Sequence, residues 1–495
     1  MHWFDEHAKR ILKERGKTLV VATGITPSGP IHIGNLREIL TADFVVKAIG
    51  SQADTTFYYI TDDFDPLRKI YPFLDKRFEQ HIGKPYFLIP CPCGEHGSYA
   101  EHFLQPFLEA LKSFGVSAKT LRVSELYRSG RYTDAIIKAV EGREKIKAIL
   151  EQVSQRSLGG DWFPFNPLCG NCQKLRGKVT DFDLTKHTVS YECPDCGSGG
   201  VANFSKGEGK LPWRIDWPAR WWALGVNVEP VGKDHASHGG SYETGKRIAK
   251  EIFQFPAPYP IVYERVHLRG EGAMHSSTGI AIAASEILKA VSPTVIRFFF
   301  AKSQPDRHIN FDPGEGLIQL YDEYTAADPK DPVRTVATVE RLPHISYRHL
   351  LTIYQAAQGK QNLIKKSLAR SGLAKEEIDV AVSFMERLGV WLQTYAPERV
   401  KFEVSQTLPA AAKRLSRAQK QFLASILKKY QSKKTWQGDE LQGAIHELRK
   451  ASDIEAKDAF VALYLVFTGK DSGPQAGWFL ASLGKDFVIQ RLSEV

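Results

Sequence analysis

The chain has 495 residues, 43% hydrophobic and 25% charged, which excludes wholesale disorder and points to about two to four domains. It lacks any run of ~20 apolar residues, and its first ten residues are too charged for a secretory leader, so a cytosolic protein without membrane spans is expected. A net charge of +10 weakly favours a polyanionic partner, and six cysteines in close pairs favour metal over disulfides.

Residues 18–23 form a short β-branched apolar run ending at Gly24, which predicts a buried strand. A loop rich in Thr, Pro, Ser and Gly follows, and helical periodicity starts near Gly34 with Leu36, Ile39, Leu40, Ala42 and Phe44 on its inner side. Residues 55–60 and 119–123 read as further strands, and such alternation predicts a parallel α/β sheet. From about 85 to 211 the pattern loosens into an expected insertion that carries all six cysteines and a charged helix at 133–153. Strand signals return at 226–231 and 260–264. After Tyr321 they vanish, so a catalytic domain is expected over residues 1–320 and an all-α domain over 321–495.

Between the first strand and the first helix, residues 24–35 read Gly-Ile-Thr-Pro-Ser-Gly-Pro-Ile-His-Ile-Gly-Asn. Small residues there let a phosphate chain approach the backbone, and a helix start offers unpaired N–H groups and a positive dipole end. His32 adds a side-chain donor at that place. The spacing matches neither the dinucleotide fingerprint nor the phosphate loop. Cys169, Cys172, Cys193 and Cys196 form C-x2-C-x20-C-x2-C, two knuckles that can set four thiolates tetrahedrally around Zn2+ at ~2.3 Å. A second cluster holds Cys91, Cys93, Glu95, His96 and His102. Residues 404–438 carry eight Lys or Arg and no acid, which suits a phosphate-tracking surface, with Tyr430 or Trp436 as candidate stacking partners for unpaired bases.

The 24–35 stretch resembles the Pro-x-Ser-Gly-x-x-His-Ile-Gly-His signature of class I aminoacyl-tRNA synthetases, with Asn35 at the last position. Residues 271–279 resemble the Lys-Met-Ser-Ser-Ser-Lys-Gly loop of one such family, the class I lysyl-tRNA synthetases. Blocks at 60–69, 211–218, 232–235 and 310–313 look like that family's, and 467–474 resembles an anticodon-binding block shared with glutamyl enzymes. The resemblance runs from about residue 5 to the C-terminus.

It implies a Rossmann-like parallel-sheet catalytic domain with a zinc-bearing insertion, followed by an all-α anticodon-binding domain. It also implies a cytoplasmic ligase, expected as a monomer, that takes L-lysine, ATP with Mg2+, and tRNA through its anticodon and acceptor stem. Carried over residue by residue, catalysis falls to His32, Asn35, Met274, Ser276 and Ser277. ATP would lie on Pro27, Ser28, Gly29, His32, Gly34, Asn35, Gly232 and Asp234. Lysine would be met by Gly24, Thr26, Asp62, Asp63, Trp213, Trp217 and His235. A second metal would take Cys91, Glu95, His96 and His102, with Cys93 able to replace Glu95. Lys428, Lys429, Lys433 and Lys434 would face tRNA.

One departure stands out: Ala273 and Thr278 occupy the positions of the family's two loop lysines, which place charge on the departing pyrophosphate. Three readings stay open: a lysine–tRNA ligase with Arg269, Lys233 or Mg2+ compensating or with slow adenylation, a non-ligating tRNA-binding paralogue, and an adenylate-forming enzyme with another acceptor.

Overall fold

The computed structural model describes residues 1–155, 157–270, 272–273 and 281–495. Met274, Ser276, Ser277 and Thr278 lie outside them. The chain divides into two compact units. One joins Met1–Ile287, Arg297–Phe311 and Thr335–Val339; the other joins Leu288–Ile296, Asp312–Arg334 and Glu340–Val495.

The first unit is built on five parallel strands: β1 (Thr18–Ile25), β2 (Asp54–Thr61), β3 (Lys119–Arg122), β4 (Val228–Gly232) and β5 (Tyr259–Tyr263), in the order β5-β4-β1-β2-β3. This is the doubly wound arrangement, whose strand order reverses between β1 and β4 and leaves a crevice at the strands' carboxyl ends. β1 pairs with β2 along all eight of its residues but with β4 only at Val21–Val228. The Asn227 side chain extends that single bridge toward the amino ends, accepting from Val20 N at 2.9 Å and donating to the Thr18 carbonyl at 3.0 Å. Toward the carboxyl ends the ladder between β1 and β4 does not continue, and there the crevice opens.

The helix Ile33–Ile49 follows β1. Leu36, Ile39, Leu40, Ala42 and Phe44 are all fully buried, as the periodicity predicts. Its charged residues are tied into the core. The buried Arg297 donates to Asp43 at 2.6 Å and to the carbonyls of Phe114, Ala337 and Val336. Arg37 donates to the carbonyls of Gln304 and Pro305.

The strand expected at 119–123 is β3, the edge strand of the main sheet, paired with Tyr58–Thr61 of β2, so part of the stretch read as an insertion belongs to the sheet. The helix expected over 133–153 is two, Thr133–Glu141 and Arg143–Ser154, hinged at Gly142. A Cβ at Gly142 would come within 2.8 Å of the Ile252 side chain, so the backbone packs where no side chain fits. The same stretch carries an antiparallel meander, Lys178–Asp183, Thr188–Glu192 and Gly199–Asn203.

After Phe311 the described residues contain helices and no strand. The second unit packs Phe422, Ile445, Leu463, Phe467, Phe479 and Val488 into a continuous core. Among the described residues no helix is long and apolar enough to cross a membrane.

Candidate active site and metal centres

The loop after β1 turns tightly, with Ser28 N donating to the Thr26 carbonyl at 2.8 Å. Gly24 permits this approach: a Cβ there would sit 2.5 Å from the Ile60 carbonyl oxygen. His32 caps the helix Ile33–Ile49, its backbone N–H bound by Asn35 Oδ1 at 3.0 Å while Asn35 N donates to the His32 carbonyl at 2.9 Å. Asn35 thereby fixes the helix start whose dipole and N–H groups face the crevice.

The segment after the second signature returns to this point. Ile33 N donates to the Ile282 carbonyl at 3.0 Å, and Ala284 N to that of Ile31 at 3.1 Å. On the other side of that signature, Gly272 and Ala273 pair antiparallel with Leu268 and His267. Both described flanks of the second signature are thus held, and the C-terminal flank lies against the first.

On the β4 side, Trp213, Trp217 and His235 meet as an aromatic cluster. Trp213 stacks on Trp217 with centroids 5.2 Å apart, and His235 lies edge-on to Trp217 at 5.8 Å. The buried Glu229 accepts both Trp217 Nε1 at 3.1 Å and Trp221 Nε1 at 2.5 Å, which fixes the plane of the indole wall. Burial pushes the Glu229 carboxyl up to about 7.

The carboxylates singled out for lysine are engaged elsewhere. Asp62 receives Lys210 Nζ at 2.6 Å and Arg220 at 3.0 Å, all three groups buried. Burial opposes its charge, but these two cations outweigh burial and hold the Asp62 carboxyl below its ordinary range. Asp63 accepts from Ser124 N at 2.9 Å and Ser124 Oγ at 2.6 Å. Burial raises the Asp63 carboxyl despite these bonds. Thr26 Oγ1 donates to Asp65, which is itself paired with Lys210 at 2.6 Å. Asp62 and Asp63 therefore brace the floor under the crevice. A buried anion already matched by two cations has little charge left for a third.

Glu38 was missed in the sequence. One helical turn beyond Asn35, it accepts from Thr23 Oγ1, from Gly24 N at 3.0 Å and from Tyr263 Oη at 2.5 Å. No described cationic side chain pairs with it. Burial and the neighbouring Glu38 push the Tyr263 hydroxyl well above its ordinary value, so it stays a donor. A Cβ at Gly232 would lie 3.4 Å from Tyr263 Oη and 3.8 Å from His235 Cδ2, so Tyr263, which bonds Glu38, and His235 of the aromatic cluster both border the end of β4. The signal was present: Asn35 and Glu38 are polar positions three apart in a mostly apolar helix.

Of the other predicted groups, Asp234 pairs with Arg265, and Lys233 pairs with Glu264.

The four cysteines of the insertion converge. Cys169 and Cys196 Sγ lie 3.6 Å apart, as do those of Cys172 and Cys193. A tetrahedron of ~2.3 Å zinc–sulfur bonds has edges near ~3.8 Å, so the set fits one Zn2+. Each knuckle closes on a left-handed residue, Gln173 (φ 60°) and Gly197 (φ 69°). Lys174 and Arg176, between the two knuckles in sequence, pair with Asp195.

The second cluster corrects one ligand. Cys91, Cys93, His96 and His102 gather their donor atoms within 4.8 Å of one another. Gly94 N closes a turn onto the Cys91 carbonyl, bringing Cys93 Sγ to 3.2 Å from Cys91 and 3.2 Å from His102 Nδ1. Glu95 is not among these donors, and Cys93, the alternative, is.

In the second unit, Tyr430 and Trp436 are core residues, not base-stacking platforms. Both are buried; Tyr430 Oη donates to the Leu480 carbonyl and Trp436 Nε1 to that of Tyr430. Lys428, Lys429, Lys433 and Lys434 are exposed, with Lys433 paired to Glu440. A separate cavity of about 1070 Å3 is lined by His349, Trp478, Arg348, Lys401 and Lys470.

Comparison with known proteins agrees along the whole chain. The family described as tRNA synthetases class I (K) matches residues 1–345, and an anticodon binding domain matches residues 349–495. The lysine–tRNA ligase of Methanosarcina barkeri is 43% identical, with 100% of this chain and 97% of that protein aligned. Those of Thermoplasma volcanium and Archaeoglobus fulgidus are 41% and 38% identical, with 99% or more of each chain covered. The chain thus belongs to the class I (K) tRNA synthetase family, with a doubly wound sheet in its first unit and a helical second unit that matches an anticodon binding domain.

Proposed function

We propose that this enzyme ligates L-lysine to its tRNA through lysyl-adenylate. The observation that carries the reading is the crevice between β1 and β4, where the Glu38 carboxylate, an aromatic wall and a helix start converge. Lysine's ε-ammonium sits on Glu38 and Tyr263 Oη, its methylenes lie along Trp217 and His235, and its α-amino end faces Gly24 and Thr26. ATP, taken as its Mg2+ complex, lies with its phosphates over Pro27–Gly29, Gly34 and the start of the helix Ile33–Ile49, and with its ribose toward Gly232 and Asp234.

A lysine carboxylate oxygen attacks the α-phosphorus, and the bond to pyrophosphate breaks. His32 donates to the phosphate oxygens as charge moves onto the leaving group. The terminal ribose hydroxyl of tRNA, the 2′-hydroxyl by likeness to class I, then attacks the lysyl carbonyl and AMP departs. Catalysis is positioning and charge stabilisation, with no covalent bond to the protein. The reaction belongs to the cytoplasm, where its tRNA is. Charging of purified tRNA with labelled lysine tests the proposal, and charging with another amino acid or none overturns it.

A second reading keeps support from Ala273 and Thr278, since a chain without the loop's two cations resembles a tRNA-binding protein that no longer activates an amino acid.

Zn2+ is held by Cys169, Cys172, Cys193 and Cys196, far along the chain from the reacting groups, and its role is to fold the insertion. Elemental analysis of the purified protein is expected to give at least one zinc per chain, and a Cys193→Ser, Cys196→Ser variant to lose that zinc. A full zinc complement in the variant would count against the site.

The helical unit binds the anticodon. Its cavity offers an aromatic pair, His349 edge-on to Trp478 at 4.3 Å, beside Arg348 paired with Asp322 and Lys401 paired with Glu398; the ring pair suits an unstacked base. Lys428, Lys429 and Lys434 supply charge along the backbone. Replacing Lys428, Lys429, Lys433 and Lys434 by Gln is expected to weaken tRNA binding and to flatten its salt dependence, by roughly one logarithmic unit of slope for each phosphate no longer neutralised. Unchanged slope in a filter-binding titration would make these lysines solvated bystanders.

A further inference from the structure

Residues 68–77 play no part in the site described above. They carry four cations, Arg68, Lys69, Lys76 and Arg77, against one acid, Asp75. Asp75 is used locally, accepting from Arg77 N at 2.8 Å, and Arg68, largely exposed, lies 3.7 Å from Asp65. Between the cations stand Tyr71 and Phe73, whose rings lie parallel, 5.5 Å between centroids and 4° between planes. Phe73 is 39% exposed, an apolar ring left open to water. Lys69 Nζ lies 5.7 Å from the Tyr71 ring centre.

This open stack touches the phosphate loop. A Cβ built on Gly29 would come 2.6 Å from Phe73 Cζ, so the ring packs directly over the first signature. Exposed flat rings interleaved with cations are the chemistry that holds an unpaired nucleotide: the rings take a base face and the cations follow its phosphates. The two adenosines of the reaction then need separate places. ATP's ribose is assigned to Gly232 and Asp234 at the end of β4, on one side of β1. The stack follows β2, on the opposite side of β1, and borders the phosphate loop where the lysyl group is activated.

We propose that the Tyr71–Phe73 stack, flanked by Arg68 and Lys69, is the platform on which the unpaired 3′ end of tRNA lies during aminoacyl transfer. The proposal rests on the ligase reading.

The test compares full-length wild type with Tyr71→Leu plus Phe73→Leu. Three measurements are made: lysine-dependent pyrophosphate exchange without tRNA, single-turnover transfer from enzyme-bound lysyl-adenylate, and quenching of 2-aminopurine placed at the tRNA 3′ terminus. The double variant is expected to exchange within about twofold of wild type with an unchanged KM for ATP. Its transfer is expected to fall tenfold or more, and the quench to disappear. Phe73→Trp should retain both transfer and quench, and Arg68→Gln with Lys69→Gln should weaken both without altering exchange. Equal losses in exchange and transfer would make Phe73 only a brace for Gly29. A raised KM for ATP alone would assign the stack to ATP's adenine, and unchanged transfer and quench would overturn the platform. Absent exchange in wild type would count against the ligase reading, while the quench alone would still decide whether the 3′ end stacks here.

Discussion

Glu38→Gln is expected to raise the KM for lysine about a hundredfold in pyrophosphate exchange while leaving the KM for ATP nearly unchanged. The substitution keeps the shape and an acceptor for Thr23 and Gly24 but removes a carboxylate that no described cation pairs with. Losing a desolvated charge partner for an ammonium costs about 2–5 kcal/mol, and a hundredfold corresponds to ~2.7 kcal/mol. Asp62→Asn provides the contrast: its charge serves Lys210 and Arg220, so its loss should lower thermal stability more than it alters lysine affinity. A normal lysine KM in Glu38→Gln would move the ammonium site elsewhere.

His32→Ala is expected to slow pyrophosphate exchange at saturating substrates by about two or more orders of magnitude, with little change in melting temperature. The helix start should survive, because its cap is made by the His32 backbone and the Asn35 side chain. What is lost is a donor aimed at charge that develops as pyrophosphate leaves, an effect on kcat more than on ATP binding. Near-normal exchange would leave His32 as a helix-start residue only.

Much of this was legible in the chain itself because it is local. β1 and the following helix are written in short-range periodicity, and the zinc knuckles in cysteine spacing; in each case one segment carries its own signal. What was not legible depends on partners remote in sequence. Asp62 looked available for substrate until Lys210, 148 residues away, and Arg220, 158 residues away, proved to pair with it. Glu38 was passed over because its partner Tyr263 lies 225 residues away. Tyr430 and Trp436 looked like open rings in a basic stretch, but Tyr430 meets Leu480 across 50 residues and Trp436 folds back onto the Tyr430 carbonyl. Glu95 was displaced by Cys93 through a turn at Gly94, where φ is 82°. A short turn can reverse which of two neighbouring ligands faces a cluster, and spacing alone does not decide it.

The claim that everything else depends on is that this crevice activates lysine although Ala273 and Thr278 stand where two loop cations would be. Lysine-dependent exchange of labelled pyrophosphate into ATP, run on wild type and on Ala273→Lys with Thr278→Lys, tests it most directly. Measurable exchange with lysine is expected in wild type. The restored variant should exchange roughly tenfold faster at saturating ATP if ~1.4 kcal/mol of transition-state stabilisation is recovered. Absence of lysine-dependent exchange in both proteins would contradict the ligase and leave a tRNA-binding member of the family in its place.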